Sequence, residues 1–468
     1  MKVTMWTGCC VVGVSLVLLA CGGGGTDGPT ADAAVPDTAA DTTVPEDTVA
    51  DAAADTTIPP TVPGEKVACG VNTSFEALLP ILKGGKTHPT GRGEQGAAYD
   101  VCNARIVLFG GNDFQPEQCA SFGPKRFQGD TWIYSVEHEN WARLEPANAP
   151  SARGRQDMVF DASRKQVLLF GGRFRPESQS SGAYTLYNDL WAFDVNTDTW
   201  SEVNATGDVP SPRINSAMVY DTKSDKVLLF GGSTSTSGLT FAPQADTYVY
   251  DPETQVWTRL STDVAPPARL FHRMIVDTSH DRILLYAGGD ENAWLGPFYN
   301  DLWAFSMSGG TWQQLWQWDG PGTGPDARIY PAFVDDPARG RVVMFAGHDD
   351  TSVGNRNDVW SFDAGTGQWT SLRAGDTGAG VGCSSFCTCP PDFVDVDMES
   401  PERRGYHTFI AIPGEDRAIM FGGKSDCGYL DDTWSLSLTD AEWTEIEPAG
   451  QGEACKRSGQ EGCTDLCY

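Results

Sequence analysis

Short apolar runs that stop at a pair of small residues recur along most of the chain. Val107-Leu108-Phe109 leads into Gly110-Gly111, Leu168-Leu169-Phe170 into Gly171-Gly172, and Leu228-Leu229-Phe230 into Gly231-Gly232. Tyr286-Ala287-Gly288 and Phe345-Ala346-Gly347 are variants, and Phe421-Gly422-Gly423 ends the series. Such runs, bounded by turn residues, read as strands. An arginine stands 18 residues before the first member of every pair: Arg92, Arg153, Arg213, Arg269, Arg328 and Arg404. Two aromatics nine apart follow each pair: Trp132/Trp141, Trp191/Trp200, Tyr248/Trp257, Trp303/Trp312, Trp360/Trp369 and Trp434/Trp443. Two residues before the first of these sits an aspartate: Asp130, Asp189, Asp246, Asp301, Asp358 and Asp432.

A register repeated this often predicts one architecture. In the second copy, Gln156–Asp161, Gln166–Phe170, Leu190–Asp194 and Trp200–Val203 read as four strands, with Asp- and Asn-rich turns joining the first pair and the last pair. Four antiparallel strands make a sheet that cannot bury both faces alone. Six around an axis can, so the expected fold is an all-β, six-bladed β-propeller. The tryptophans Trp141, Trp200, Trp257, Trp312, Trp369 and Trp443 then fill the gaps between blades.

These residues resemble the kelch repeats, whose pattern is four apolar residues, Gly-Gly, a gap, and an aromatic seven positions before a Trp. The aromatic positions are Tyr134, Phe193, Tyr250, Phe305 and Phe362, with Leu436 departing in the last copy. The resemblance covers about 92–446. It implies blades at about 92–145, 153–205, 213–262, 269–317, 328–373 and 404–446, within a propeller spanning 65–446. It also brings to mind a copper oxidase of the kelch group with two Tyr and two His ligands, one Tyr joined to a Cys. No corresponding set stands in this sequence.

Up-down-up-down strands put the tight hairpins on one face and the longer loops on the other. From the first residue of each small pair to the next aromatic, the intervals are 22, 20, 17, 16, 14 and 12. One crossing carries a Cys-bearing insertion at 374–400. Variable loops on a rigid frame are where binding surfaces are built, so the loop face is the expected functional face. Trp294 and Trp316 are its candidate stacking aromatics. The six arginines admit two readings. They could form a ring at the channel that takes carboxylates or sulfates, as arginines do in the partner pocket of related kelch domains. Alternatively each pairs with the aspartate of its own blade; presence in every copy favours this scaffold reading. His272 and His407, three after their arginines, break the symmetry and are candidates for a channel-mouth site.

The first 21 residues hold one Lys, an apolar run from Val11 to Ala20, and Leu18-Leu19-Ala20-Cys21-Gly22. This resembles a bacterial lipoprotein signal with its lipobox, which implies acylation of Cys21. Residues 22–64 carry Ala, Asp, Thr and Pro without an aromatic or a base, the composition of a disordered tether. The expected location is export with an acyl anchor in a bacterial membrane, the outer one foremost, facing the cell surface or periplasm. Acids outnumber bases 63 to 33, for a net charge of −30, which excludes nucleic acid as a main partner. Of 13 cysteines, ten remain after Cys9, Cys10 and Cys21. In an oxidising compartment they suggest disulfides among Cys69, Cys102, Cys119, Cys383, Cys387, Cys389, Cys427, Cys455, Cys463 and Cys467. Cys69–Cys102 is the expected pair at the hairpin face, with the others stapling the insertion and the tail, 447–468. Cys-x3-Cys-x-Cys lacks paired zinc-site spacing. With no nucleophile elbow, phosphate loop or His-Glu-x-x-His, no catalytic residues, metal or cofactor are assigned. A monomeric binding module for a protein at the cell surface is expected. A carbohydrate binder, or a carbohydrate-active or oxidase-like enzyme, is the alternative.

Overall fold

A computed structural model describes residues 69, 72–113, 126–179, 182–238, 240–293, 296–349, 354–378, 394–425 and 428–450. The signal with Cys21, the tether, Trp294, Cys119, Cys383, Cys387, Cys389, Cys427, Cys455, Cys463 and Cys467 lie outside them. The tail is described only to residue 450. Among the described residues no helix is long and apolar enough to cross a membrane.

The fold is a six-bladed β-propeller, with one α-helix among the described residues. Blade one pairs Gly96–Asp100, Arg105–Phe109, Thr131–Ser135 and Asn140–Leu144 in chain order, and blade two Asp157–Asp161, Gln166–Phe170, Leu190–Asp194 and Thr199–Val203. The second copy's strands thus agree with the expected ones to within a residue at each end. Blades three to six open with Ala217–Asp221, Arg273–Asp277, Ala332–Asp336 and Thr408–Ala411. Each opening strand contacts that of the next blade, and the last contacts the first, so the opening strands form a closed ring around the axis. Every blade is built from one stretch of the chain, with the short hairpin Arg173–Phe174 and Thr185–Leu186 lying between the second and third strands of blade two. Thr206–Gly207, from a crossing, adds a short parallel partner to the outer strand Val256–Leu260 of blade three.

The core lies between the blades, where six apolar clusters fill the six joints. In each joint the fourth-strand Trp meets the aromatic that ends the second strand of the preceding blade. Trp200 meets Phe109 at 5.4 Å, Trp257 meets Phe170 at 5.4 Å, and Trp312 meets Phe230 at 5.2 Å. Trp369 meets Tyr286 at 5.1 Å, Trp443 meets Phe345 at 4.6 Å, and Trp141 meets Phe421 at 4.7 Å, which closes the ring with the same contact. Tilted and edge-on aromatic pairs at these distances add to the burial term.

The small-residue pairs are the backbone half of the same joint. The second glycine of each pair donates its N–H to the carbonyl of the next blade's arginine: Gly111 to Arg153, Gly172 to Arg213, Gly232 to Arg269, Gly288 to Arg328, Gly347 to Arg404 and Gly423 to Arg92. At this second position φ runs from +90° at Gly232 to +110° at Gly347. A Cβ there would stand 2.7–3.0 Å from a backbone carbonyl of the next turn. The two alanines of the series, Ala287 and Ala346, therefore stand only at the first position, where φ is +66° and +59°, the left-handed region an L-residue tolerates.

The helix Thr73–Leu82 sits under the hairpins of blades one and two. Asn72 caps it through the Phe75 N–H and donates to the Val195 carbonyl and Asp198. A disulfide joins Cys69 to Cys102 in the first hairpin turn of blade one, with Cα atoms 5.2 Å apart.

Candidate functional site at the loop-face channel mouth

Each repeated arginine enters its blade just before the opening strand and turns inward to the sheet. Arg92 Nη1 meets Asp130 at 2.6 Å, Arg153 meets Asp189 at 2.6 Å, and Arg213 meets Asp246 at 2.7 Å. Arg269 meets Asp301 at 2.7 Å, Arg328 meets Asp358 at 2.7 Å, and Arg404 meets Asp432 at 2.5 Å. All six pairs are bidentate, and the same Nη1 also donates to the carbonyl of the first residue of the small pair, as from Arg92 to Gly110 and from Arg269 to Ala287. The aspartate's second oxygen accepts the indole N–H two residues on wherever a Trp stands there, for example Trp132 and Trp303. The arginines are 0–1% exposed. The structure thus places these guanidiniums inside the blades, with their donors taken by the scaffold, and not at the open mouth.

The mouth is formed instead by the residue two after each arginine: Glu94, Arg155, Asn215, Phe271, Tyr330 and Tyr406. All six have positive φ, from +54° at Asn215 to +65° at Glu94, Arg155 and Phe271. This left-handed turn throws each side chain toward the axis. Backbone bonds link several neighbours: Arg155 N–H to the Glu94 carbonyl, Asn215 to Arg155, Tyr330 to Phe271 and Glu94 to Tyr406. Non-glycine residues held this way in a ring are uncommon and costly.

The side chains of this ring interlock. Arg155 Nε lies 2.9 Å from Glu94, and its Nη2 donates to the Tyr406 hydroxyl at 3.1 Å. The Tyr406 hydroxyl donates in turn to that of Tyr330. The two phenol rings stack at 3.6 Å, and Phe271 meets Tyr330 at 4.2 Å. Arg173 reaches the other side of Glu94 at 2.9 Å. Burial opposes the Arg155 charge, but Glu94 beside it outweighs that and lifts the guanidinium above its ordinary range. Burial, with Tyr406 adjacent, pushes the Tyr330 phenol well up. The mouth is thus a neutral-phenol and ion-pair plug above a cavity of about 30 Å³.

His272 and His407 are buried between blades. Each stacks edge-on against the preceding blade's second-strand aromatic: His272 on Phe230 at 5.5 Å and His407 on Phe345 at 5.1 Å. In blades one and two this position holds glutamine, and Gln156 donates to the Phe109 carbonyl at 2.9 Å. His272 approaches the Phe230 carbonyl in the same way without closing a bond of normal geometry. Burial, with Arg269 and Arg404 nearby, holds both imidazoles well below the usual range and keeps them neutral. His272 lines the cavity. Trp316 is packed edge-on against Trp369 at 5.9 Å in the joint of blades four and five.

A second feature of the loop face is a groove of about 620 Å³ between the loops of blades two and three, lined by Tyr184, Thr185, Leu186, Ser211, Thr234 and Gln244 among others. Tyr184 is buried under the guanidiniums of Arg173 and Arg175, at 4.1 and 4.2 Å. Among the described residues no group of three His, Cys, Asp or Glu is placed to hold a metal.

A family model described as the KLHDC2/KLHL20/DRC7 Kelch-repeats domain matches residues 78–263 and 222–389, more than half of the chain. The chain is a kelch-repeat protein. It is 26% identical over 375 residues to the leucine-zipper-like transcriptional regulator 1 homolog of Drosophila melanogaster, covering 78% of this chain and 34% of that one. This kelch chain thus spans about a third of that relative's length. It is 28% identical over 344 residues to an N-(sulfonatooxy)prop-2-enimidothioate sulfolyase of Thlaspi arvense, covering 67% of this chain and 86% of that one. It is 23% identical over 300 residues to kelch domain-containing protein 10 of Xenopus tropicalis, covering 63% and 68%. A kelch propeller of this kind fits a protein-interaction module.

Proposed function

We propose that this chain is an exported, lipid-anchored kelch module, held on a bacterial membrane through Cys21, that binds a partner protein through its loop face. The observation that carries the reading is a contrast within one face. The frame repeats six times over, down to the Arg–Asp pair and the glycine-to-arginine bond. The mouth ring carries five different residue types at its six positions, and it adjoins a groove between blades two and three. Selection for stability alone repeats a solution; selection for one partner diversifies the surface that meets it. The helix and the Cys69–Cys102 disulfide lie on the opposite, hairpin face.

The test is cross-linking mass spectrometry on envelopes carrying the full chain. One stoichiometric partner with cross-links on the loop face is expected. Thr185→Arg, in the groove, abolishes them, while Thr222→Arg, on a hairpin turn, leaves them. Cross-links confined to the hairpin face overturn the reading. Cys21→Ser is expected to release the chain from the membrane fraction, and retention there overturns the anchor. The groove's hydroxyl and amide lining, with the sulfolyase among the relatives, favours a second reading: a carbohydrate binder, or a kelch-type enzyme acting on this face. Specific glycan-array binding lost in Thr185→Arg would favour it over a protein partner.

A further inference from the structure

Behind the plug, the channel holds a half-buried cation without an ion-pair partner among the described residues. Arg273 opens the first strand of blade four and lines the small cavity together with Arg155, Asn215, Ser216 and His272. It is half-buried, and among the described residues its guanidinium makes no hydrogen bond or ion pair. The other charges here are already matched. Glu94 is taken by Arg155 and Arg173. Asp157 accepts the backbone N–H groups of Met158 at 2.9 Å and Met218 at 2.7 Å. Asp157, His272 and His407 feel the field of Arg273 without touching it. A buried donor nearby is also unmatched: among the described residues the Asn215 amide nitrogen has no acceptor. A guanidinium carries five donors and cannot shed its proton, and a cation drawn partly out of water gains from an anion placed beside it.

We propose that this cavity is an anion site, and that it holds a monatomic anion of chloride size between the Arg273 guanidinium and the Asn215 amide. Size fixes the class. Phe271, Tyr330, Tyr406 and Arg155 close the mouth over about 30 Å³, which excludes a sugar, a nucleotide or a peptide terminus. The site is thus a structural ion position inside the ring, distinct from the loop-face groove. It ties blade four to blade three.

The test compares thermal unfolding of the full chain in sodium chloride and in sodium gluconate, whose anion is too large to enter, at equal ionic strength. The midpoint is expected to rise by about 2 °C per tenfold rise in chloride and to stay flat in gluconate. Arg273→Met is expected to lose the chloride response. Equal midpoints in the two salts assign the cavity to water and overturn the proposal, as does an undiminished response in Arg273→Met. Should that variant not fold, crystals of the unaltered chain soaked in bromide decide. An anomalous peak touching Arg273 supports the site, and its absence from the channel overturns it.

Discussion

The indole N–H groups of the six inter-blade tryptophans divide into two sets, and one residue position accounts for the division. Trp200 donates to Thr131 at 3.0 Å, Trp312 to Thr247 at 3.0 Å and Trp141 to Thr433 at 3.3 Å. Each threonine directly follows the repeated aspartate of the preceding blade. Blades two, four and five carry Leu190, Leu302 and Val359 there, and Trp257, Trp369 and Trp443 have no acceptor among the described residues. Val359→Thr is nearly isosteric and is predicted to repair one joint. Val359 is fully buried, and burying a hydroxyl without a partner costs about 1–3 kcal/mol. Here the partner is waiting: an orphaned buried donor costs about 1–3 kcal/mol, and a closed bond contributes about 1 kcal/mol net. The expected outcome is a gain of about 1 kcal/mol, where the same swap at an ordinary core valine loses that much or more. Backbone geometry supports the match, because Val359 and Thr433 both sit at a register shift between the third and fourth strands. Urea unfolding followed by far-UV circular dichroism measures it, in a cycle with Trp443→Phe, which keeps the ring and removes the N–H. A loss of stability in Val359→Thr, or a gain that survives in the Trp443→Phe background, refutes the reasoning.

Asp301→Asn leaves the Arg269 charge buried against a neutral group and is expected to destabilise by about 3–5 kcal/mol, read as a shift in urea midpoint. Arg269→Met combined with Asp301→Leu should recover part of that loss. His272 and His407 stay neutral in the fold while their unfolded counterparts take up protons near pH 6.5. Stability is therefore full above that pH and falls below it, by up to about 1.4 kcal/mol per pH unit for each histidine. The double variant His272→Gln, His407→Gln, which restores the residue of the first two blades, should flatten the profile between pH 6.5 and 5 at constant chloride. Gly288→Ala, at φ +99° with Leu270 O 2.7 Å from the new Cβ, should cost more than 2 kcal/mol by the same assay, whereas Ala287→Gly should cost under 1 kcal/mol.

What could be read in the sequence was what the fold repeats. The spacing of small pairs, arginines, aspartates and tryptophans located the blades, and the second copy's strands agree with Asp157–Asp161 through Thr199–Val203 to within a residue. The Arg–Asp pair was legible because two complementary charges recurred at fixed offsets. The threonine that receives the indole was hidden, since only three of six blades carry it, and the rule shows only once Trp200 and Thr131 are seen across a joint. His272 and His407 broke the pattern three places after their arginines. Strand alternation packs that position against the preceding blade's aromatic, while His272 also lines the cavity beneath the mouth.

The mouth lay one residue earlier, and its invisibility has a physical cause. A left-handed turn at a non-glycine residue leaves no common side chain to recognise, apart from a mild preference for Asn, met here only at Asn215. The six positions look like noise in an alignment of the repeats because backbone closure, not side-chain identity, is what they share. Each follows by two residues the arginine held by the glycine N–H, and four of the six also donate their N–H to a neighbour's carbonyl around the axis. The frame is therefore overdetermined at the point where the side chains are free to differ. That separation lets one residue of the ring change from Glu94 to Arg155 to Phe271 without altering the blade that carries it, and it makes the mouth, with the cavity beneath it, the part of this propeller where a specific ligand can be encoded at least cost to the fold.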